Sequence, residues 1–137
     1  MIETEDTILI LIGSAEKLND ADKQSLTRLC QQHRFQLQIQ YAAAAQQFLD
    51  FMCDAKPVAG MILLPTMVML QQCAKQQWSE SCRMLAQAGC STVELYFANV
   101  FEYGDCRPIG AKAIVAGLGF GGFELAIKAI DRARVVS

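Results

Sequence analysis

The stretch TVELYFANVFEYGDCR, residues 92–107, carries a carboxylate, Glu94, inside an otherwise apolar run, and an asparagine and an arginine, Asn99 and Arg107, beyond its end. A charge placed in a core must be paired or hydrogen-bonded, because an isolated buried carboxylate is costly. Glu94 is therefore either a working group that orients a neighbour or a carboxylate satisfied by nearby backbone or by the phenol of Tyr96. Arg107 could hold a small anion, or pair with Asp105 or Glu102 across a subunit contact. Asn99 suits a strand-to-loop turn, where its side chain bonds local backbone.

These residues need a scaffold, and the pattern of apolar runs supplies one. Residues 7–12 (TILILI) are too uniformly aliphatic for a half-wet strand and fit a central parallel strand covered on both faces. Residues 35–41 (FQLQIQY) alternate apolar and Gln with a period of two, as an edge strand with one exposed face does. GMILL at 60–64, residues 92–98 and residues 113–116 complete five strands. Between them lie amphipathic stretches. The first helix is expected to be capped by Asp20 or Asp22, with Leu26, Leu29, Cys30 and His33 inward and His33 at its end. A second covers residues 44–55, with Phe48, Leu49, Met52 and Ala55 on one side. Residues 67–88 read as two short helices interrupted around Trp78 and Ser79. The last helix, 120–135, turns Phe123, Ile127 and Ile130 inward and sets Glu124 four residues before Lys128. Strands alternating with helices predict an α/β doubly wound sandwich with a five-stranded parallel sheet, in one domain spanning residues 1–137.

Composition narrows the function classes. With 53% hydrophobic and 19% charged residues, part of the surface is expected to be buried in an oligomer. A net charge of -2 gives no basic field for nucleic acid. No apolar stretch is long enough to span a bilayer, and Glu3, Glu5 and Asp6 do not make the basic start of a signal peptide, so a cytoplasmic location with no membrane partner is expected. The cysteines, Cys30, Cys53, Cys73, Cys82, Cys90 and Cys106, lack metal-ligand spacing and read as reduced, mostly buried residues, with no metal expected. GLGFGG at 117–122 follows the last strand, and no acidic residue follows a second strand about 20 positions on. It is read as a packing turn rather than a dinucleotide site, and no cofactor is expected.

In such a sheet, ligands sit beyond the carboxyl ends of the strands. There, TVELYFANVFEYGDCR followed by AIVAGLGFGGFELAIKAI resembles the C-terminal half of type II dehydroquinases, in which a Glu-x-His-x-Ser-Asn strand leads through a loop to an Arg and then to a strand and a Gly-Leu-Gly turn. Glu94, Asn99, Arg107, Gly117, Leu118 and Gly119 stand where that pattern wants them. ILILIGSA and GMILLP parallel the family's first and third strands, so the resemblance covers nearly the whole chain, with motif matches confined to residues 92–123. It implies a flavodoxin-like fold, assembly as a trimer or dodecamer, and dehydration of 3-dehydroquinate in aromatic biosynthesis.

Carried over residue by residue, the family's chemistry is largely missing. No tyrosine base or activating arginine stands between Lys17 and Leu26. The general-acid histidine becomes Tyr96, a poorer acid near neutral pH because a phenol ordinarily titrates near ~10. The asparagine that holds a catalytic water aligns with Ala15, the one before Pro65 becomes Leu64, a substrate-binding histidine falls at about Leu70, and Ala98 replaces a carboxylate-binding serine. An insertion at 78–83 relative to the family falls where subunits are expected to meet. The resemblance thus implies a catalytically inactive or strongly impaired oligomeric binding or regulatory protein, with an old pocket lined by Leu64, Pro65, Leu70, Tyr96 and Phe97. The alternative is an enzyme: a 3-dehydroquinate dehydratase with an atypical active site, or a lyase on another small carboxylate. It would use Tyr96 and Arg107, with the Phe97 and Ala98 N–H groups and Asn99 as anion-binding candidates. A third possibility is a subunit that co-assembles with an authentic dehydroquinase.

Overall fold

The computed structural model describes residues 6–13, 18–54, 58–96 and 113–136. Its five strands are β1 (Thr7–Ile12), β2 (Gln36–Tyr41), β3 (Gly60–Leu64), β4 (Ser91–Tyr96) and β5 (Ala113–Ala116). All pair in parallel in the order β2-β1-β3-β4-β5. This is the flavodoxin-like strand order, in which the direction of winding reverses between β1 and β3. The expected α/β sheet is the one observed.

The periodicity of each strand decides its place. TILILI is buried at every position, as a central strand covered on both sides must be, whereas QLQIQY alternates exposed and half-buried at the sheet edge. Two apolar layers result. On one face, Ile8, Ile10, Ile12, Ile62, Val93 and Leu95 pack beneath α1 (Asp20–Gln32) and α5 (Gly122–Val136). On the other, Leu9, Leu11, Met61 and Leu63 pack beneath α2 (Ala45–Asp54), α3 (Met67–Gln72) and α4 (Lys75–Gln87). Phe123, Ile127 and Ile130 of α5 are buried as expected, and Lys128 reaches Glu124 at 3.1 Å. Phe48, Leu49 and Met52 line α2; Ala55 lies outside the described residues.

Three local expectations are corrected. The first helix is capped by Asn19, whose side chain accepts the Asp22 N–H at 2.7 Å, rather than by Asp20 or Asp22. Those two carboxylates instead sit in the first turn, where they face the positive end of the helix dipole. The break between the two helices after β3 falls at Cys73 and Ala74, not at Trp78 and Ser79. Residues 75–87 run as one helix because Trp78, Ser81 and Cys82 recur at helical spacing and are buried together. Trp78 is 1% exposed and stacks edge-on against Phe48 at 5.5 Å, so it belongs to this chain's own core. In the GLGFGG turn, Gly117 and Gly119 take φ of 81° and 54°, which side chains disfavour, and close packing among Gly119, Gly121 and Gly122 is confined to Gly122, where an added methyl would meet Leu95 Cδ1 at 2.5 Å. Gly119–Gly121 forms a short 3₁₀ turn leading into α5.

His33 closes α1, as expected, but Asp131 of α5 receives it at 2.7 Å, a contact that the spacing of the two residues gave no hint of. Among the described residues, the cysteines are free: Cys30, Cys82 and Cys90 are buried, Cys73 is half-buried and Cys53 is exposed. Cys106 lies outside them.

Candidate functional site

The carboxyl ends of β3 and β4 hold the chemically distinctive side chains. Side chains alternate across a strand, so Val93 and Leu95 join the layer beneath α5 while Thr92, Glu94 and Tyr96 turn to the α4 side. Glu94 lies opposite Leu63 in the ladder and is wholly buried. The Tyr96 hydroxyl donates to its Oε2 at 2.8 Å, and Tyr96 is only 7% exposed. The geometry pairs Glu94 with the phenol, an arrangement that both sequence readings of Glu94 allow.

The charge on Glu94 reaches its surroundings. Burial pushes the Cys82 thiol up to about 12, with Glu94 and then Cys90 adding to the effect. Burial alone lifts Cys90 and Cys30 to about 11. These thiols therefore stay protonated at neutral pH and lack the thiolate needed by a nucleophile or a metal ligand. Among the described residues no group of three or more His, Cys, Asp or Glu could hold a metal ion.

At the switch point, between the carboxyl ends of β1 and β3, the backbone is tightly covered. The Gly13 N–H donates to the Leu64 carbonyl at 2.8 Å, extending the ladder past the end of β1. A methyl group added to Gly13 would meet the Met69 sulfur at 2.5 Å and the Phe48 ring at 3.2 Å. Met69 is placed there by Thr66, which caps α3 by accepting the Met69 N–H at 3.2 Å. Position 13 sits where ligands commonly approach such a sheet, and here Met69 and Phe48 occupy that space.

The predicted pocket residues are not all gathered on one side. Leu64 packs with the layer under α1 and α5, whereas Leu70 packs with the layer under α2 and α4, and Tyr96 shares the face of Glu94. Pro65 is buried at the turn between them. Ala15, Phe97, Ala98, Asn99 and Arg107 lie outside the described residues.

Met69, Phe48 and Trp78 were missed as residues of this region. The signal available for the first two was Gly13 directly after a fully apolar strand, a position that invites close approach. Trp78 gave none: its Nε1 is the one buried side-chain polar atom without a hydrogen-bond partner among the described residues.

No family model matches the sequence, and no curated protein matches it. Solved structures do. A 3-dehydroquinate dehydratase-like protein from Bifidobacterium longum superposes with a TM-score of 0.66 over 94% of this chain and 98% of that one, at 14% identity. The type II dehydroquinase from Butyrivibrio crossotus DSM 2876 superposes with a TM-score of 0.70 over 94% and 99%, at 11% identity. The chain therefore has the dehydroquinase-like fold over essentially its whole described length.

Proposed function

We infer that the chain is a distant relative of the type II dehydroquinases that has lost efficient dehydration and acts as an oligomeric binding or regulatory protein, with a small carboxylate as its ligand. One observation carries this reading. Where the resemblance calls for a histidine acid, Tyr96 stands, and its single O–H is given to Glu94 at 2.8 Å. A general acid must offer its proton to the leaving oxygen within about 2.6–3.2 Å, and the loss of such a donor commonly costs ~10²–10⁴-fold. The tight cover of Met69 and Phe48 over Gly13 supports the same reading, as do the apolar replacements at Ala15 and Leu64.

The test is turnover of 3-dehydroquinate by the purified chain, followed through the absorbance of the conjugated product. No turnover above background is expected; a rate of roughly 1–10³ s⁻¹, ordinary for an enzyme, refutes the proposal.

A second reading, a lyase on another small carboxylate, draws on the same pair. Tyr96 could accept a proton from a ligand while passing its own to Glu94, making the two a relay. Under that reading any turnover disappears in Tyr96→Phe. In either case the relationship to the family suggests a trimer or dodecamer and a cytoplasmic location. No helix among the described residues is long and apolar enough to cross a membrane.

A further inference from the structure

We propose that Arg34 anchors a second ligand site, between the end of α1 and the start of β2, that holds a small hydroxyl-bearing monocarboxylate. α1 closes with the Arg34 N–H donating to the Gln31 carbonyl at 3.0 Å and the Phe35 N–H donating to the Cys30 carbonyl at 2.8 Å. This pair of bonds requires a left-handed residue between His33 and Phe35, a place that glycine usually fills. Arg34 fills it with φ of 62°, the one positive φ of a residue other than glycine among the described residues.

α4 ends in the same two bonds, from the Gly89 N–H to the Ala86 carbonyl at 3.1 Å and from the Cys90 N–H to the Leu85 carbonyl at 2.9 Å, with Gly89 at φ of 85°. Both turns lead straight into a strand. The fold thus asks at position 34 for a left-handed residue and nothing more, and a side chain there is strained against the backbone. A cation at a helix C-terminus gains a little from the dipole, by an amount no larger than that strain. An arginine kept at such a position points to a use for its side chain.

That side chain lines a cavity of about 410 Å³ together with Thr27, Gln31, Phe35, Gln36 and Leu37. A volume of this order takes a small organic molecule. Thr27, Gln31 and Arg34 stand one turn apart along α1 and its end, and Gln36 opens β2 beside them. Arg34, Gln31 and Gln36 are exposed, and their side chains have no hydrogen bond or ion pair among the described residues. The lining includes no acidic side chain. Phe35, buried, and Leu37, half-buried, give the cavity an apolar side.

These groups select the ligand. A guanidinium with free N–H groups takes a carboxylate in two parallel bonds. The Thr27 hydroxyl gives its proton to the Lys23 carbonyl at 2.8 Å, so it is left with lone pairs, which accept from a hydroxyl on the ligand. The negative end of the α1 dipole lies here too, which favours a single carboxylate over a doubly charged phosphate. Gln36 pairs with Thr7 at the start of β1, whereas Tyr96 ends β4, so the cavity and Tyr96 are at opposite ends of the parallel sheet. The site is separate from the one proposed above and does not rest on it.

Lactate is the probe, with propionate, which lacks the hydroxyl, and inorganic phosphate beside it. In NMR titrations of the full chain, the Arg34 Nε–H and the Gln31 and Gln36 side-chain amides should move and saturate with lactate. Lactate should bind about 2–10-fold tighter than propionate, the worth of a neutral hydrogen bond. Arg34→Gly should weaken lactate binding by about 5-fold or more, the loss of a charged pair near the surface. The same variant should hold the thermal midpoint or raise it by up to about 4 °C, since glycine relieves the left-handed strain. Arg34→Lys keeps the charge at the helix end without the fork, and should weaken lactate nearly as much. Signals that do not saturate with lactate, equal affinity for lactate and propionate, or tighter binding of phosphate would overturn the site. So would undiminished binding by Arg34→Gly, or a midpoint that this variant lowers, which would assign the arginine to the helix end. The three titrations are read on the wild type, so they decide the matter even if a variant fails to fold.

Discussion

Tyr96→Phe removes one oxygen from the ring that stands over Glu94 and leaves its packing volume nearly unchanged. The carboxylate is wholly buried and the phenol 7% exposed, so water has little access to replace the lost donor. A hydrogen bond to a charged group is worth about 1.5–3 kcal/mol. In a chain of this length each kcal/mol moves the thermal midpoint by about 4 °C, so a fall of about 6–12 °C is expected. The attribution to this one bond is checked by a second background. With Glu94→Gln, the amide oxygen can still accept from Tyr96, but the bond is then neutral and worth about 0.5–1.5 kcal/mol. Tyr96→Phe should therefore cost about 1 kcal/mol less in that background, a coupling of the size that touching residues show. Denaturant titration of the four proteins at one pH measures it. A loss below about 0.5 kcal/mol in the wild-type background, or equal losses in both, would show that the pair does not work as described.

Two further outcomes follow from packing and burial. Gly60→Ala should destabilise the fold by about 1–3 kcal/mol in denaturant titration, since overpacking a well-filled core carries that cost. The added methyl would lie 2.5 Å from Ile130 Cγ2 and 2.6 Å from its Cδ1, and truncating Ile130 to Ala in the same chain should recover part of the loss. The buried thiols set the alkaline limit: Cys30, Cys82 and Cys90 hold their protons up to about 11, 12 and 11, against an ordinary 9.0. Above pH 9 the unfolded chain releases these protons while the folded chain keeps them, so stability is full below that pH and declines through 11 to 12. Unfolding titrations across that range check the decline, and a flat profile would contradict the burial.

The sheet was legible because its strands differ in kind. An all-aliphatic run cannot have a wet face, and a Gln alternation cannot have two dry ones, so β1 and β2 announced their central and edge places from composition alone. The ends of the helices were less legible. Asn19, Asp20 and Asp22 are all capable caps, and only the direction of chain entry selects Asn19. The break after α3 was misplaced because Trp78 and Ser79 have weaker helix propensity than their neighbours, yet burial of Trp78 against Phe48 outweighs that preference. At the site, Glu94 and Tyr96 were readable as partners because two residues along a strand share a face. The split of Leu64 from Leu70 was not: the first is the last residue of a strand and the second sits in a helix, so no single period relates them. The cover over Gly13 depends on the reach of Met69, a flexible side chain whose direction is set by packing.

A buried carboxylate is weak evidence for stability, because taking the charge out of water costs several kcal/mol and well-packed apolar residues often serve as well or better. Glu94 sits within such a packed layer, beside Leu63 and close enough to Cys82 to act on its thiol. The same layer already carries the unpartnered Nε1 of Trp78. Packing alone gives no reason for a second polar group there; its hydrogen bond does. Tyr96 at the end of β4 supplies that reason: its hydroxyl is fixed in direction by Glu94, which a carboxamide or an apolar residue would fix less strongly. A phenol so held offers lone pairs rather than its proton to anything arriving from beyond the strand end. Under the proposed function, a small carboxylate would therefore engage Tyr96 through a hydroxyl that donates to it, the reverse of what a leaving hydroxyl awaiting protonation requires.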